Sequence, residues 1–390
     1  MGARKTGDYP KTLAEFYRRF PDDAACFTYL VETRWPDGFR CPRCGSDNAL
    51  LLTERRTFVC RPCRKHTSAT AGTTLHGSKV PLHDWFQAAW LMASLKPGIS
   101  ALQLEQQIGL RFATAWLLLH KLRRATVNPE RTLLRGDIEM DDAWIGGVQA
   151  GLKGGHQRAG RTALQVIVAV ERRGDAGLGR ARVAVLPRDD AEGIAAFVIA
   201  NIAEGSIIYS DAHRGYPGAL DPAKFTHRPL SQRAMKRATG RHTSAAPGVD
   251  RVLSNLKTWL RGTHHGVGAD HLDAYLDEFV FRFNRRRNQA AGFATLLGLT
   301  VTGTHATAAD IAPSPREGEA KRRGRSTGQT GAVHRNPPPL PEGEKTPRGR
   351  RTKTTDGSSP TVGRLPGRSG SDPVARTVLD PAVGRRRLRP

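Results

Sequence analysis

The chain has 390 residues, room for two or three domains, and carries 61 Lys+Arg against 36 Asp+Glu, a formal net charge of +25. Such an excess favours a polyanionic partner, because each phosphate neutralised by Lys or Arg releases a condensed counterion. No apolar run approaches the ~20 residues a membrane span needs, and MGARKTGDYPKTLAEF lacks the apolar core of a signal peptide, so the expectation is a soluble, cytoplasmic protein facing nucleic acid, with no membrane partner.

In chain order, TLAEFYRRF spaces Leu13, Phe16, Tyr17 and Phe20 at helical intervals until Pro21, and a second short helix runs from Asp22 to Trp35. Between 39 and 76, short segments such as LLTERRTFVC alternate with turn residues and predict small strands. Cys41-x-x-Cys44 and Cys60-x-x-Cys63 lie here, fifteen residues apart. Each pair makes a tight knuckle with two thiolates, and two knuckles complete the tetrahedral sulfur shell that zinc favours. Arg40, Arg43, Arg61, Arg64 and Lys65 surround them. Cys26 stands alone in an apolar helical stretch and reads as core.

From 82 to 126 the pattern is helical. LHDWFQAAWLMASLK ends at Pro97-Gly98, Ser100 caps ALQLEQQI, and Gly109-Leu110 turns into FATAWLLLHKLRRA. Two helices joined by so short a turn fit a helix-turn-helix, with Arg111 and Thr114 reaching base edges and Lys121, Arg123 and Arg124 meeting phosphates. An ordinary three-helix bundle with a solvated basic end reads equally well from the pattern. The net charge and the adjacent ribbon favour DNA contact.

Residues 135 to 300 read as one α/β domain, with strands in DIEMDDAWIGG, ALQVIVAVERR, RARVAVLP and GSIIYSDA. One helix (AEGIAAFVIANIAE) precedes the last strand, and VDRVLSNLKTWL and HLDAYLDEFVFRFNRR follow it. In a basic protein, acids placed on such strands stand out, since phosphodiester chemistry with two metal ions needs a few convergent carboxylates. Asp141 lies on the first strand, on the same side as Glu139; Asp211 ends the run Ile207-Ile208-Tyr209; Asp250 begins a helix, with Lys257 two turns later on the same face. Each aspartate alone also reads as a solvated turn or helix cap, Asp250 as an N-cap. Residues 311–390 contain no aromatic, Cys or Met, and predict a disordered basic segment.

CPRCGS, CRPCRKHTSATAGTTLHGSK, EMDDAWIGG, IIYSDAHRGY, SNLKTWLRGTHHGV and HLDAYLDEFVFRFNRRRN together resemble bacterial insertion-sequence transposases of the ISXO2-like type, over about residues 12 to 300. The resemblance implies a zinc ribbon and a ribonuclease-H-like catalytic domain that cleaves and joins DNA with Mg²⁺ or Mn²⁺. It places the catalytic acids at Asp141, Asp211 and Asp250, with Lys257 as basic partner. Asp142 and Asn255 are second choices for the first and last positions. An aspartate at the third position departs from the Glu, Asn or His common in relatives. The whole reading is an α/β protein in four parts. Residues 1–76 hold the N-terminal helices and a structural zinc site at Cys41, Cys44, Cys60 and Cys63. Residues 77–134 form the helix-turn-helix, 135–300 the ribonuclease-H-like catalytic domain and 301–390 a disordered tail. Double-stranded DNA, as element ends and target, is the expected partner, with a homo-oligomer at synapsis. The rival is an inactive zinc-ribbon regulator or a decayed copy.

Overall fold

The computed structural model describes residues 9–311 except 129, 147–163, 187–189, 212, 214, 232–235, 238–239 and 241–243. The chain divides between Thr327 and Gly328, so every described residue belongs to the first unit.

Two short helices open it, α1 (Leu13–Arg19) and α2 (Asp23–Arg34). Thr12 and Asp22 cap them, each side chain accepting from the backbone N–H three residues on. A three-stranded antiparallel ribbon follows, β1 (Ala49–Leu52), β2 (Thr57–Cys60) and β3 (His66–Ser68), in that spatial order. Its small core stacks Phe39 on Phe58 at 4.6 Å between centroids, with Trp35 edge-on to both.

Helices α3 (Leu82–Ser94), α4 (Ala101–Ile108) and α5 (Phe112–Ala125) come next. Ser100 and Gln103 form a reciprocal capping box on α4, and Gly109, at φ +72°, ends it in the left-handed conformation that a side chain would disfavour. The apolar faces of these helices bury Phe16, Phe20, Phe86, Leu104, Leu119 and their neighbours in one helical core.

The second part is a five-stranded sheet in the order β6–β5–β4–β7–β8, formed by β4 (Asp137–Ile145), β5 (Leu164–Arg172), β6 (Leu178–Val185), β7 (Ile207–Ser210) and β8 (Thr226–Pro229). The first three strands are antiparallel, whereas β7 runs parallel to both β4 and β8. Strand β5 is buried on both faces, which explains its unbroken apolar run. Val166, Val168 and Val170 pack against α8 (Pro247–His264) and α9 (Leu272–Asn284), while Ile167 and Ala169 face α6 (Ala191–Asn201) and the short α7 (Gly215–Ala219). The result is a three-layer α/β/α body.

Several expectations change. Strand β8, THRP, has no apolar alternation and escaped the sequence reading. Helix α10 (Gln289–Thr302) does not join the sheet: Phe293, Leu296, Leu297 and Val301 enter the helical core beside α2 and α3. The ordered chain also passes residue 301, for α11 (Ala308–Ile311) lies against α5 with Ile311 buried. From 312 on, the expected tail lies outside the described residues.

Candidate functional site

The two cysteine knuckles share one local geometry. Gly45 N–H donates to Cys41 O and Arg64 N–H to Cys60 O, both 2.9 Å, with Gly45 and Arg64 each at positive φ just after the second cysteine of their pair. This turns all four sulfurs inward, where they lie within 4.8 Å of one another. Cys41 and Cys63 Sγ are 3.5 Å apart, as are Cys44 and Cys60 Sγ. Zinc–thiolate bonds of about 2.3 Å set tetrahedral edges of roughly 3.8 Å, so the donor set fits a structural zinc ion. Burial raises the Cys41 thiol, but the backbone N–H groups of Arg43 and Cys44 and the neighbouring thiols outweigh it and bring it down to about 6. Arg40, Arg43, Arg61, Arg64 and Lys65 are all exposed round the knuckles.

Of the five side chains expected on the helix-turn-helix to meet DNA, three remain open to solvent. Arg111 and Arg124 are exposed and Thr114 is half-buried, beside an exposed Phe112. Lys121 and Arg123 are corrections. Both are buried, and Arg123 Nε donates to Glu278 of α9 at 2.8 Å while its guanidinium lies 3.9 Å from the Tyr275 ring centroid. The second half of α5 packs on α9, so Lys121 and Arg123 face protein while Arg124 faces solvent.

On the sheet, Asp141 and Asp142 lie in the second half of β4, just beyond the residues paired with β7, and Asp211 follows the last residue of β7. Because β4 and β7 are parallel, their carboxyl ends bring these acids to one edge. Helix α8 crosses beside them. Asp250, Ser254, Lys257 and Arg261 form one of its faces and, with Asp141 and Asp142, line a cavity of about 790 Å³. Asp141 Oδ1 accepts from Asp142 N–H, and Asp142 Oδ2 accepts from Gln165 Nε2. Asp211 Oδ1 accepts from His213 N–H, and Ser210 Oγ, hydrogen-bonded to His227 Nε2 at 2.8 Å, donates to Asp211 O. Burial first, then the charges of Asp211, Asp142 and Asp250, push the Asp141 carboxyl up to about 7. Asp141 therefore feels the charge of both Asp211 and Asp250, although among the described residues only the four cysteines bring three or more such ligand atoms within 4.8 Å. Asn255 lines the adjoining cavity instead.

The sequence reading missed what sets α8 in place. Asp250 is not the N-cap, since the helix begins at Pro247. Glu139, 4% exposed, extends from β4 so that Oε2 accepts from the N–H groups of Gly248 (2.5 Å) and Val249 (3.3 Å), and Arg172 Nε lies 3.3 Å from Oε1. A carboxylate from the sheet thus satisfies the first turn of the helix that carries Asp250 and Lys257. At the far end Trp259 Nε1 and Thr263 Oγ1 both donate to Pro97 O, fastening α8 to the turn between α3 and α4. The same-face relation of Glu139 and Asp141 was legible in the alternation, but the partner N–H groups lie 109 and 110 residues away.

Among the described residues no helix is long and apolar enough to cross a membrane. Residues 133–284 match the ISXO2-like transposase domain and residues 21–66 the transposase zinc-ribbon domain. An uncharacterized protein in transposable element ISH50 of Halobacterium salinarum is 25% identical over 286 residues, covering 68% of this chain and 92% of that protein. By these matches the chain belongs with the ISXO2-like transposases, a transposase zinc ribbon preceding the transposase domain.

Proposed function

We propose that this transposase binds the terminal inverted repeats of its insertion sequence through the ribbon and a helix-turn-helix, and that a ribonuclease-H-like domain cleaves the ends and joins them to target DNA. The observation that carries the reading is that Asp141 and Asp211 stand towards the carboxyl ends of two parallel strands, with Asp250 of α8 close enough for its charge to act on Asp141, in a protein of net charge +25. The strand order, three antiparallel strands followed by two parallel ones, is the arrangement expected of a ribonuclease-H-like domain.

The residues suit a hard divalent cation such as Mg²⁺ or Mn²⁺: all three donors are carboxylates, and a cation would relieve the burial and like-charge repulsion that raise the Asp141 carboxyl. Bound there, such ions would lower the pKa of an attacking water or 3′-hydroxyl and stabilise the leaving oxygen. Asp141 and Asp211 would be held by the strand ends, and Asp250 by a helix anchored at both termini. Lys257, on the same face of α8, would neutralise a phosphate oxygen of the scissile strand. Arg111, Thr114 and Arg124 remain the helix-turn-helix residues available to DNA. Joining two ends implies at least a dimer at synapsis.

The test is a cleavage and strand-transfer assay on the element's own end DNA with Mg²⁺ or Mn²⁺, comparing the wild type with Asp211→Asn. Metal-dependent 3′-hydroxyl formation and joining, both lost in the variant, are expected. Specific binding without cleavage in either metal would instead identify a catalytically inactive DNA-binding regulator.

A further inference from the structure

Three cavities run in series round α8 and α9. The first, described above, is shared by Asp141, Asp250 and Lys257. The second, about 820 Å³, shares Thr258 and Gly262 with the first, and the third, about 410 Å³, shares Phe281 and Arg285 with the second. Neighbouring cavities therefore adjoin, each sharing part of its lining with the next.

The charge of the second cavity is one-sided. Lys96, Arg251, Arg282, Arg285, Arg286 and Arg287 line the second cavity, and none of its lining residues is acidic. Arg282 lies 3.7 Å from Glu278. Arg285, Arg286 and Arg287 donate instead to the backbone carbonyls of Phe281, Phe283 and Ala176, which orient a guanidinium without cancelling its charge. Among the described residues no carboxylate pairs with Lys96, Arg251, Arg285, Arg286 or Arg287. Three of the guanidiniums rest on aromatic rings, Arg282 on Trp259, Arg285 on Phe281 and Arg286 on Phe283, at 5.6, 3.9 and 4.1 Å from the centroids. In the third cavity Arg182 is 5% exposed, and its Nε has no hydrogen-bond partner. Burial first, then the neighbouring Arg131 and Arg180, lower it to about 10, and the charge of Glu171 offsets only part of this. The carboxyls on that cavity are Asp277, pushed up to about 7 by burial, and Glu130.

Gly262 sits where the first two cavities meet. It is exposed within α8, and a Cβ there would meet nothing within 4 Å. Glycine weakens a helix interior, and no packing neighbour requires it here. Its effect is to bare the helix backbone at the neck between the carboxylates and the basic cavity.

We propose that this series of cavities is a track for one strand of DNA, which leaves the carboxylate cluster, crosses α8 at Gly262 and passes Arg251 and Lys96 towards Arg182. The inference rests on the strand-cleavage reading for its direction. Cavities of roughly 300–1,000 Å³ enclose a molecule of a few rings, so each takes a nucleotide or two and none admits a duplex. Cations that follow a backbone beside apolar, ring-bearing walls are the features by which proteins hold single strands.

The experiment is photocrosslinking of a twelve-residue oligothymidylate bearing 4-thiothymidine to the full-length protein without divalent metal, with adducts mapped by mass spectrometry. Crosslinks are expected in peptides covering residues 251–262 and 281–287. They should fall at least fivefold in the Lys96→Ala/Arg251→Ala/Arg287→Ala triple variant, whose three side chains are exposed. They should fall similarly in Gly262→Leu, which adds bulk at the neck with no change of charge, at a position where a Cβ meets nothing within 4 Å. Crosslinks confined to other peptides, or undiminished in both variants, would overturn the track. Asp211→Asn separates this from the nuclease reading: it abolishes cleavage but leaves the crosslinks in place. A wild type that crosslinks as expected yet cuts nothing retains the track and loses only the nuclease.

Discussion

Glu139 shows how one side chain of the sheet governs another element. Its carboxylate accepts two N–H groups at the start of α8, a charge-assisted cap opposite the positive end of the helix dipole. Glu139→Gln keeps an acceptor but loses the charge, and should cost about 1–2 kcal/mol in urea unfolding, in the range of a lost helix cap. The same variant should lower metal-dependent cleavage more than DNA binding, because α8 carries Asp250. Unchanged stability would show that the cap is dispensable. Arg64 makes the opposite case. It holds φ +58° where Gly45, its counterpart in the other knuckle, holds +73°. A non-glycine residue in this region costs about 1–2 kcal/mol, so Arg64→Gly should raise the ribbon's stability, read as slower zinc loss to a chelator. The cysteines themselves were fully legible, since x₂ spacing constrains geometry locally. The roles of Glu139 and Arg64 depend on backbone that spacing does not report.

Among the elements, α5 separates what periodicity reveals from what it hides. Its helical period was plain, and so was its cationic end. Sequence alone gave no sign that α9 would cover the face bearing Arg123, because a buried Arg–Glu pair has the same composition as a solvated one. Glu278 is fully buried and Arg123 1% exposed. Removing one partner of such a pair strands the other's charge in a poorly solvated place, at a cost of about 3–5 kcal/mol. Arg123→Ala should therefore unfold at markedly lower urea, whereas Arg124→Ala, at the neighbouring exposed position, should change stability by no more than ~0.5 kcal/mol. Equal effects of the two substitutions on stability would refute the distinction. Helix α10 illustrates the converse. QAAGFATLLGLTVT is apolar nearly all round, so its period indicates no preferred face, and only the packed structure shows that it closes the N-terminal helical core.

At the scale of the molecule, the helical core and the sheet body meet through a cluster of histidines and aromatics in which His120 is buried and His264 half-buried. The His120 ring of α5 lies tilted over Trp116 at 4.0 Å between centroids and meets His271 and Tyr275, while His264 of α8 packs edge-on against Trp259 and Tyr275. Burial first, and nearby cations including Arg123 second, bring both His120 and His264 down to about 3. An unfolded histidine binds its proton near pH 6.5, so between that value and 3 the unfolded chain holds more protons than the folded one. The contribution of each neutral histidine is complete above pH 6.5 and is lost as the pH falls towards 3. The full shift of each corresponds to an upper bound of about 5 kcal/mol by linkage. Asp141 and Asp277, both raised to about 7, act in the opposite sense and add stability as the pH falls from 7 towards the ordinary carboxylate range. Two opposed pairs of similar size leave the wild type with a shallow pH dependence between 7 and 4.5, and variants expose the components. His120→Gln removes one acid-labile contribution, so relative to wild type it should fare better at pH 4.5 than at pH 7 in urea unfolding. Asp277→Asn removes a carboxyl that disfavours folding when ionised, so its relative gain should appear at pH 8 and vanish at pH 4.5. Parallel pH profiles for wild type and both variants would mean that neither group is desolvated in solution. The helical core and the sheet would then meet across an interface that admits water.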